Sequence, residues 1–387
     1  MSQHILFVNT PTYVGGAEIS LLALMQHLSP NRYEPYLLTS GDGPLLEWTR
    51  KINVPASTQV FPWFSRRQPW RYMFSLYRLV RIFQDNDIDL VHTNCDHSLR
   101  YVMRASRVAG VPYVSHVRDY VRTWFQPDKV AALNRAVRVI TNSNATTRAC
   151  VQAGVDPNRI LTIYNPVDTV RFKNMSSVPR DAFRLELGIP AAALVVGIVG
   201  QIQPIKGLRE FVETGLQLAA RFSEIHFLIA GAAPPDNLAQ VFLTRLKAQI
   251  AASEHAAQFH LVGFQNDIPA VMHTIDILAV PSWEEPFGRV AVEGMAAGCA
   301  VVCTNAGGLP EIITDEVDGL LIAPKDVDAL YAALHRLVIN SRLRQQLAQT
   351  GCLTAQRFTI ANHVEQVQAL YDAALSCNSY RFRISVR

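Results

Sequence analysis

Two glutamates eight residues apart stand in an otherwise apolar stretch, SWEEPFGRVAVEGMAAGCAVV (residues 282–302). Glu285 precedes a Pro-Phe-Gly turn, and Glu293 follows in a helix-like run. Proline and glycine favour helix starts over helix interiors, so this turn predicts a helix that begins near Phe287 or Gly288. We therefore expect Glu285 to lie in a loop above the helix and Glu293 to lie one to two turns into it.

Carboxylates at this spacing suit a ligand that has hydroxyl groups at both ends and phosphates between them. A carboxylate accepts hydrogen bonds from vicinal hydroxyls, often two at once. A nucleotide sugar has this composition. The alternative is a carboxylate that only stabilises the helix dipole, which would explain Glu285 but not Glu293 among Val292, Gly294 and Met295.

A lysine stands where the second half of the chain passes from its first apolar run into a helix, in GQIQPIKGLREF. Lys206 comes just before Gly207, and a lysine at a helix N-terminus is electrostatically unfavourable unless an anion neutralises it. A phosphate at this place would meet both the ammonium group and the helix amides. A solvated lysine on a turn remains the alternative.

Two adjacent glycines follow the first apolar run of the chain, in NTPTYVGGAEIS, and a helix is predicted from near Ala17. Gly15 and Gly16 would let backbone N–H groups approach an anion at that helix N-terminus. A plain glycine turn is the alternative. The pattern is not GxGxxG, so a nicotinamide site is poorly supported.

Short, continuously apolar runs alternate with helix-like stretches in both halves of the chain. This pattern is typical of parallel strands covered on both faces. It predicts an α/β fold of two doubly wound Rossmann-like domains that face each other across a cleft, with ligands at the carboxyl ends of the strands. The predicted boundaries are 1–173 for an acceptor-side domain, 174–190 for a linker, 191–375 for a nucleotide-sugar-binding domain with C-terminal helices, and 376–387 for a basic tail.

The composition is that of a compact enzyme. Of the 387 residues, 49% are hydrophobic and 18% are charged, which suits two domains of ordinary size. The start lacks the basic segment of a signal peptide, no run of 18 apolar residues occurs, and the six cysteines form no CxxC pattern. We expect a cytoplasmic protein with reduced thiols and no bound metal.

Formal charge is distributed unevenly along the chain. Residues 1–173 hold 20 basic and 12 acidic side chains, a net charge of +8, whereas residues 174–387 hold 16 and 20, a net charge of −4. A basic first half favours an anionic partner, such as a membrane surface or a phosphorylated substrate.

The most basic segment, residues 61–83, has five arginines, no acidic residue and many aromatic residues. This mixture suits a bilayer interface with anionic lipids. A helix with a core face and a solvated basic face is the alternative, and no nucleic-acid-binding module is recognisable. The candidates for the membrane or acceptor side are Arg66, Arg67, Trp70, Arg71 and Arg78.

Several of these motifs together resemble the retaining glycosyltransferases of family 4, which have the two-domain GT-B fold. EPFGRVAVE matches the E-x7-E signature of that family, VGGAE is similar to its amino-terminal glycine loop, and GQIQPIKG is similar to its G-R-x-x-x-x-K-G segment. GFQNDIPAVMHTIDILAVPSWEEPFG and NAGGLPEII are close to its usual sequence. The resemblance is dense over about 190–330 and looser over 1–170.

The resemblance implies a role for each matching residue of the second half. Lys206 would bind the donor pyrophosphate and stabilise the leaving group. Glu293 would accept the ribose hydroxyls, and Glu285 would contact hydroxyls of the transferred sugar. The backbone at Phe287 and Gly288 would lie beside the phosphates.

Three further positions take implied roles from the same resemblance. Glu311, at the end of AGGLPE, would line the donor side, and Gly16, next to Gly15, would approach the donor phosphate. His116 in SHVRD matches a histidine that many members place near the sugar, with a core histidine at a strand end as the alternative.

One position departs from the family pattern. Gln201 stands where the family usually has arginine, so a full positive charge near the pyrophosphate is lost. Either another cation, such as Arg118 or Arg209, supplies it, or the leaving group is less well stabilised.

The activity implied is transfer of a sugar, with retention, from a nucleoside-diphosphate sugar to a hydroxyl acceptor that is a carbohydrate or lipid-linked. We expect a role in cell-surface polysaccharide or glycolipid synthesis and a peripheral location on the inner face of the cytoplasmic membrane. No cofactor or metal is expected, because lysine and helix amides can neutralise the diphosphate. The alternatives are a nucleotide-sugar epimerase of the same fold and a catalytically weak nucleotide-sugar-binding protein.

Overall fold

The computed structural model describes residues 2–119, 126–174 and 180–376, and the chain forms two compact units. Unit 1 comprises Met1–Pro166 and Ile360–Arg387, and unit 2 comprises Val167–Thr359.

Unit 1 is built on a parallel sheet of seven strands in the order β3-β2-β1-β4-β5-β6-β7. Its strands are β1 (Gln3–Asn9), β2 (Tyr33–Thr39), β3 (Ala56–Thr58), β4 (Leu90–Thr93), β5 (Tyr113–Val117), β6 (Arg138–Thr141) and β7 (Ile160–Thr162). The helices between them are α1 (Gly16–His27), α2 (Pro44–Lys51), α3 (Pro69–Asp85), α4 (Leu99–Ala109), α5 (Pro127–Leu133) and α6 (Asn144–Gln152).

Helices cover both faces of this sheet, and β1 shows why its sequence is apolar throughout. Ile5 and Phe7 pack into one hydrophobic cluster with α1, whereas Leu6 and Val8 pack into a second cluster with α3 and α4. Because successive side chains of a strand point to opposite faces, a strand buried on both faces has no polar alternation.

Unit 2 has a parallel sheet of six strands in the order β10-β9-β8-β11-β12-β13. Its strands are β8 (Leu194–Val199), β9 (Ile225–Ala230), β10 (Phe259–Gly263), β11 (Ile277–Val280), β12 (Ala300–Thr304) and β13 (Leu320–Ile322). Its helices are α7 (Thr169–Lys173), α8 (Arg180–Glu186), α9 (Leu208–Ala219), α10 (Asn237–Ala251), α11 (Ile268–Thr274), α12 (Arg289–Ala297), α13 (Leu309–Ile312), α14 (Val327–Ile339) and α15 (Ser341–Ala355).

Both sheets are doubly wound, as the apolar runs predicted. The chain runs outward from β1 to β2 and β3 and then returns to β4 on the other side of β1. In unit 2 it runs outward from β8 and returns to β11. Ligands of open α/β sheets bind outside the carboxyl ends of the two strands at such a switch point.

The last helix, α16 (Ile360–Ser376), belongs to unit 1, which corrects its predicted place in the C-terminal domain. Its apolar face packs into the α1 side of the β1 sheet. Tyr33 Oη donates to Asp372 Oδ1 at 2.6 Å, and the Ser29 amide donates to Gln368 at 2.9 Å. An amphipathic pattern predicts a helix but does not say which sheet the helix covers.

The boundary between the units also differs from the predicted linker at 174–190. Unit 2 begins at Val167, because α7 packs against α12. Within the predicted linker, α8 is a structured part of unit 2: Arg184 is buried and donates to the Ala193 carbonyl at 2.8 Å and to Asp276 at 2.9 Å. Of the predicted tail at 376–387, residues 377–387 lie outside the described residues.

Candidate functional site

The loops after β8 and β11 bring together the two main candidates of unit 2. Lys206 ends a short 3-10 turn after β8, and Glu285 lies in the loop after β11. Because β8 and β11 are paired, these loops meet at the carboxyl edge of the sheet. Lys206 Nζ donates to Glu285 Oε2 at 2.7 Å, and Ser282 Oγ lies 3.4 Å from the same oxygen. The two side chains are 30% and 15% exposed, so the pair is reachable from solvent.

Glycine allows the two loops to touch backbone to backbone. Gly207 has a φ of +74°, and a Cβ at this position would lie 2.1 Å from the Pro281 carbonyl oxygen. The Trp283 amide donates to the Ile205 carbonyl at 2.8 Å and locks the same contact. A side chain at position 207 would therefore force the two loops apart.

The Pro-Phe-Gly turn leads into α12, which begins at Arg289, one residue after the predicted region. Gly288 has a φ of +107°, and Phe287 is buried. The Gly308 amide donates to the Glu285 carbonyl at 2.8 Å, so the loop after β12 braces this turn. The partial positive charge at the N-terminus of α12 thus lies at the turn that carries Glu285.

Glu293 is the fifth residue of α12 and is almost completely buried. Its Oε1 accepts a hydrogen bond from Arg289 Nη2 at 2.7 Å. The sequence prediction did not include Arg289, although an arginine four residues before a glutamate on a helix predicts this contact. This hydrogen bond gives the buried carboxylate a charged partner on its own helix.

The remaining donor-side candidates lie on the same edge of unit 2. Gln201 is exposed in the loop after β8, and Glu311 is half-buried in α13, which follows β12. Arg209, one of the two cations suggested as substitutes for the missing arginine, lies 3.3 Å from Glu210 and 3.8 Å from Glu213. Its charge is therefore shared with two carboxylates of α9.

Gly15 and Gly16 of unit 1 occupy the N-terminus of α1, as predicted. Gly15 is the N-cap residue, and its amide donates to Glu18 Oε2 at 3.1 Å. Asn9 Nδ2 lies 3.4 Å from the other carboxylate oxygen of Glu18. This buried glutamate, which the prediction missed, already provides an anion at the helix start; a glutamate three residues after an N-cap is its sequence signal.

His116 lies on β5 and is fully buried in unit 1, in a cluster of three histidines. Its ring centroid is 5.5 Å from that of His92 on β4 and 6.2 Å from that of His363 on α16. Neither ring nitrogen of His116 has a hydrogen-bond partner among the described residues. His363 Nδ1 bonds the Tyr164 carbonyl at 2.7 Å, and His92 Nδ1 bonds Tyr371 Oη at 2.5 Å.

Burial keeps these three histidines neutral. Burial, and then the charge of Arg118, holds the pKa of His92 and of His116 well below the ordinary value. The same two causes lower the pKa of His363 to about 3. Arg118, the second suggested substitute cation, is itself buried: its Nε donates to Asn94 at 2.7 Å, and its Nη1 donates to Asn165. The two hydrogen bonds hold its guanidinium against neutral amides of unit 1.

The basic segment forms a loop and the helix α3, which has two apolar faces. Its buried face consists of Tyr72, Ser75, Leu79, Val80 and Phe83. Its exposed face and the preceding loop carry the candidate residues Arg66, Arg67, Trp70, Arg71 and Arg78 together with exposed Trp63, Phe64, Met73, Phe74 and Tyr77. Single exposed hydrophobic residues are normal on protein surfaces, but six large ones grouped along one segment form a patch. Among the described residues, no helix has the length and apolar character that crossing a membrane requires.

Comparisons with known proteins agree with this architecture over nearly the whole chain. The family model described as "Glycosyl transferases group 1" matches residues 179–352, and that described as "Glycosyltransferase Family 4" matches residues 14–171. Two structures of Anabaena HepE, in complex with UDP and with UDP-glucose, are each 26% identical to this chain and match 96% of it. The match extends over 100% of the UDP complex, with a TM-score of 0.85, and over 99% of the UDP-glucose complex, with a TM-score of 0.83.

Among curated proteins, the D-inositol 3-phosphate glycosyltransferase of Saccharomonospora viridis is 30% identical over 295 residues, which is 75% of this chain. The chain covers 65% of that relative's own length, less than two thirds. The two doubly wound units, together with the likeness to HepE over 96% of the chain, define the class as an α/β protein of the GT-B fold. The chain belongs to glycosyltransferase family 4.

The roles that the sequence assigned to individual residues remain predictions. The structure brings Lys206, Glu285 and the α12 N-terminus together in unit 2, and it places His116 in a buried histidine cluster of unit 1.

Proposed function

We propose that this protein is a retaining glycosyltransferase that moves a sugar from a nucleoside-diphosphate sugar to a hydroxyl acceptor. The observation that carries the proposal is the Lys206–Glu285 pair at the switch point between β8 and β11. A cation and a carboxylate within 2.7 Å of each other, beside a helix N-terminus, suit a ligand that presents phosphate and hydroxyl groups side by side.

Positive charge is what the departing diphosphate needs. Negative charge grows on its phosphate oxygen as the glycosidic bond breaks, and groups already oriented towards that charge lower the barrier. Lys206 and the N-terminus of α12 are such groups. Because both belong to the protein, we propose that the reaction needs no metal ion or cofactor, and we expect turnover to survive EDTA.

Donor binding would exchange the partners seen in the structure. The ammonium group of Lys206 would bond a phosphate oxygen, and Glu285 would be released to accept hydroxyls of the sugar. Glu293 would accept the ribose hydroxyls through the oxygen that Arg289 does not bond. The acceptor would attack on the face from which the diphosphate leaves, and a diphosphate oxygen would take the acceptor proton, which gives retention.

The comparisons suggest a donor and an acceptor class to test first. HepE was crystallised with UDP-glucose, so UDP-glucose is the first donor to examine. The curated relatives are named for an inositol phosphate acceptor, and residues 1–173 of this chain carry a net charge of +8. We propose a phosphorylated or lipid-linked acceptor in the synthesis of a glycolipid or cell-surface polysaccharide.

An anionic bilayer is the proposed partner of the exposed face of α3. Arginines there would bind anionic head groups, each worth about 1 kcal/mol near the surface. The exposed aromatic side chains would enter the interfacial region. The protein would then act at the inner face of the cytoplasmic membrane.

The bilayer contact is tested by co-sedimentation with vesicles rich in phosphatidylglycerol. Replacing four exposed arginines of the segment with glutamine (Arg66, Arg67, Arg71 and Arg78) should weaken vesicle binding at least a hundredfold, and salt should release the unaltered chain. As a matched control, four arginines elsewhere (Arg171, Arg221, Arg245 and Arg342) are changed to glutamine. A chain that never co-sediments at low salt contradicts the bilayer contact and favours an acceptor in solution.

Donor turnover tests the reaction itself. The full chain is incubated with UDP-, GDP- or ADP-glucose and an acceptor extract, release of diphosphate is measured, and the anomeric configuration of the product is read by NMR. Glu285→Gln should lower turnover strongly, whereas Glu284→Gln, its exposed neighbour, is the matched control. An inverted product, or equal effects of the two variants, would contradict the proposal.

One observation favours a second candidate function, binding of nucleotide sugars without transfer, and the same experiment tests it. Gln201 is neutral and exposed where family members usually have arginine, and Arg209 is paired with glutamates. A protein that binds nucleotide sugars without transferring them would bind UDP in calorimetry and release no diphosphate with any donor.

A further inference from the structure

The outer side of unit 1 contains a cavity that the proposed reaction does not use. The loop before α3, the helix α3 and the helix α4 enclose about 510 Å³, within the range of roughly 300–1,000 Å³ that is usual for small-ligand pockets. Its apolar walls are Trp63, Phe64, Tyr72, Met73, Leu76 and Tyr101.

Ring contacts and hydrogen bonds hold the walls of the cavity together. The Tyr101 ring lies 4.4 Å from that of Tyr72 and 5.2 Å from that of Phe61, and the Trp63 ring lies 4.4 Å from that of His97. His97 Nε2 bonds the Phe61 carbonyl at 2.8 Å, and Tyr101 Oη donates to the Pro62 carbonyl. The loop that forms the outer wall is therefore tied at two consecutive carbonyls, one to α4 and one to the turn that precedes it.

The two tyrosine hydroxyls and Arg100 in the walls have protein partners. The Tyr101 hydroxyl bonds the Pro62 carbonyl, and the Tyr72 hydroxyl accepts from Arg104. Arg100 pairs with Asp128, and its guanidinium lies 5.8 Å from the Trp63 ring centroid. A saccharide needs partners for many hydroxyl groups, whereas a hydrocarbon chain needs none, so these walls favour a hydrocarbon occupant.

The chain segment at the exposed mouth of the cavity is cationic. Trp63, Phe64 and Met73 are each more than half exposed, and the chain between them carries Arg66, Arg67 and Arg71. No acidic residue occurs from position 61 to position 84. An occupant with a hydrocarbon chain and an anionic head would match both the walls and the mouth.

We propose that this cavity binds one acyl chain of an anionic phospholipid, whose phosphate lies against the arginines at the mouth. The proposal rests on the bilayer contact of the proposed function and deepens it: the protein extracts a chain from the bilayer rather than only lying on its surface. It does not depend on the transfer reaction, because the donor residues belong to unit 2.

Calorimetry with monomeric alkyl phosphates tests the proposal on the full chain. Octyl, decyl and dodecyl phosphate are used below their micellar concentrations, with inorganic phosphate and dodecyl maltoside as comparisons. Each added methylene that enters the cavity should tighten binding by about fourfold. Inorganic phosphate should bind weakly, and the maltoside should bind at least tenfold less tightly than dodecyl phosphate.

A pair of variants localises the binding. Met73→Trp should fill the cavity and weaken binding of dodecyl phosphate at least tenfold, and folding is secure because Met73 is 58% exposed. Tyr77→Trp, one turn further along the exposed face and outside the cavity walls, should leave that affinity unchanged. The proposal would be overturned if affinity did not change with chain length or if the maltoside bound as tightly as dodecyl phosphate. Equal dodecyl phosphate affinities of the two variants would also overturn it.

Two other occupants would also overturn it. Dodecyl phosphate that becomes glycosylated would make the cavity an acceptor site, and a concentration-dependent dimer that the alkyl phosphate dissociates would make it an interface between two copies. UDP affinity, measured on the same preparations, reports on the donor site separately. A chain that binds dodecyl phosphate but not UDP would contradict the proposed function and leave the lipid site standing.

Discussion

The polar candidates of the two units are held in opposite electrostatic states. In unit 2, Lys206 is paired with Glu285 and Arg289 with Glu293, each at 2.7 Å. In unit 1, His116 lies among two other neutral histidines, and neither of its ring nitrogens has a partner among the described residues. The Lys206–Glu285 pair is reachable from solvent and can exchange partners when an anionic ligand arrives, whereas a buried neutral cluster resists any new charge. The difference leaves unit 2 with a charged pair that a phosphate can approach, whereas the histidine cluster of unit 1 is suited only to neutral groups.

The largest expected effect comes from removing the cation of unit 2. Lys206→Ala should lower kcat by roughly 10²–10³, because the lysine acts on charge that grows only in the transition state. Glu293→Ala should mainly weaken donor binding, since ribose contacts stabilise ground and transition states alike. Single-turnover kinetics with calorimetric UDP affinities separate the two effects.

Lys247→Ala, on the exposed side of α10, is the matched control for the loss of a lysine. Near-normal kcat in Lys206→Ala with only a weaker donor affinity would show that the charge of unit 2 serves binding alone. The electrostatic difference between unit 2 and the histidine cluster of unit 1 would then have no effect on catalysis.

The neutral cluster should appear as a loss of stability in acid. The unfolded chain protonates histidine near its ordinary pKa of about 6.5, whereas burial lowers the pKa of His363 to about 3 and that of His92 and His116 well below the ordinary value. Because the unfolded state binds more protons, the stabilisation is complete above about pH 6.5 and is lost as the pH falls. Each histidine should cost up to about 2 kcal/mol at pH 5 relative to pH 7.

Hydrogen-exchange protection factors measure this loss unit by unit. Protection in β4, β5 and α16 should fall more steeply between pH 7 and pH 5 than protection in the strands of unit 2. In His363→Gln, the glutamine can still donate to the Tyr164 carbonyl. The protection factors of unit 1 should then fall less steeply between pH 7 and pH 5. An equal slope in both units, or an unchanged slope in this variant, would refute the assignment of the acid sensitivity to the cluster.

The same contrast explains which features the sequence could predict. Continuous apolar runs predicted the strands, because burial on both faces leaves that pattern, and the Pro-Phe-Gly turn predicted the start of α12 to within one or two residues of Arg289. Two motifs at the ends of strands marked Lys206 and Glu285 as candidates, and their direct contact is a finding of the structure. These features depend on local sequence and on one general rule of α/β folds.

Features that depend on distant contacts were not predictable from one sequence. His363 meets His116 only because α16 covers the sheet of unit 1, and nothing in its amphipathic pattern distinguishes one sheet from the other. The cavity beside α3 requires the loop at Phe61 and Pro62 to be tied to His97 and Tyr101. The Arg289–Glu293 and Gly15–Glu18 contacts are local and had recognisable signals.

The smallest expected effect concerns Gln201, where unit 2 has one charge fewer than is usual in its family. Gln201→Arg places a charge-assisted donor in the exposed loop after β8, and such hydrogen bonds are about twice as strong as neutral ones. A gain of about 1 kcal/mol would tighten UDP binding roughly fivefold. Arg209 does not supply this positive charge to the diphosphate while it remains paired with Glu210 and Glu213. Calorimetry at fixed ionic strength measures the change, and Gln203→Arg, two residues further along the same loop, is the matched control. Equal tightening by both variants would mean that the loop senses net charge alone, and no tightening by Gln201→Arg would mean that another cation reaches the diphosphate when it binds.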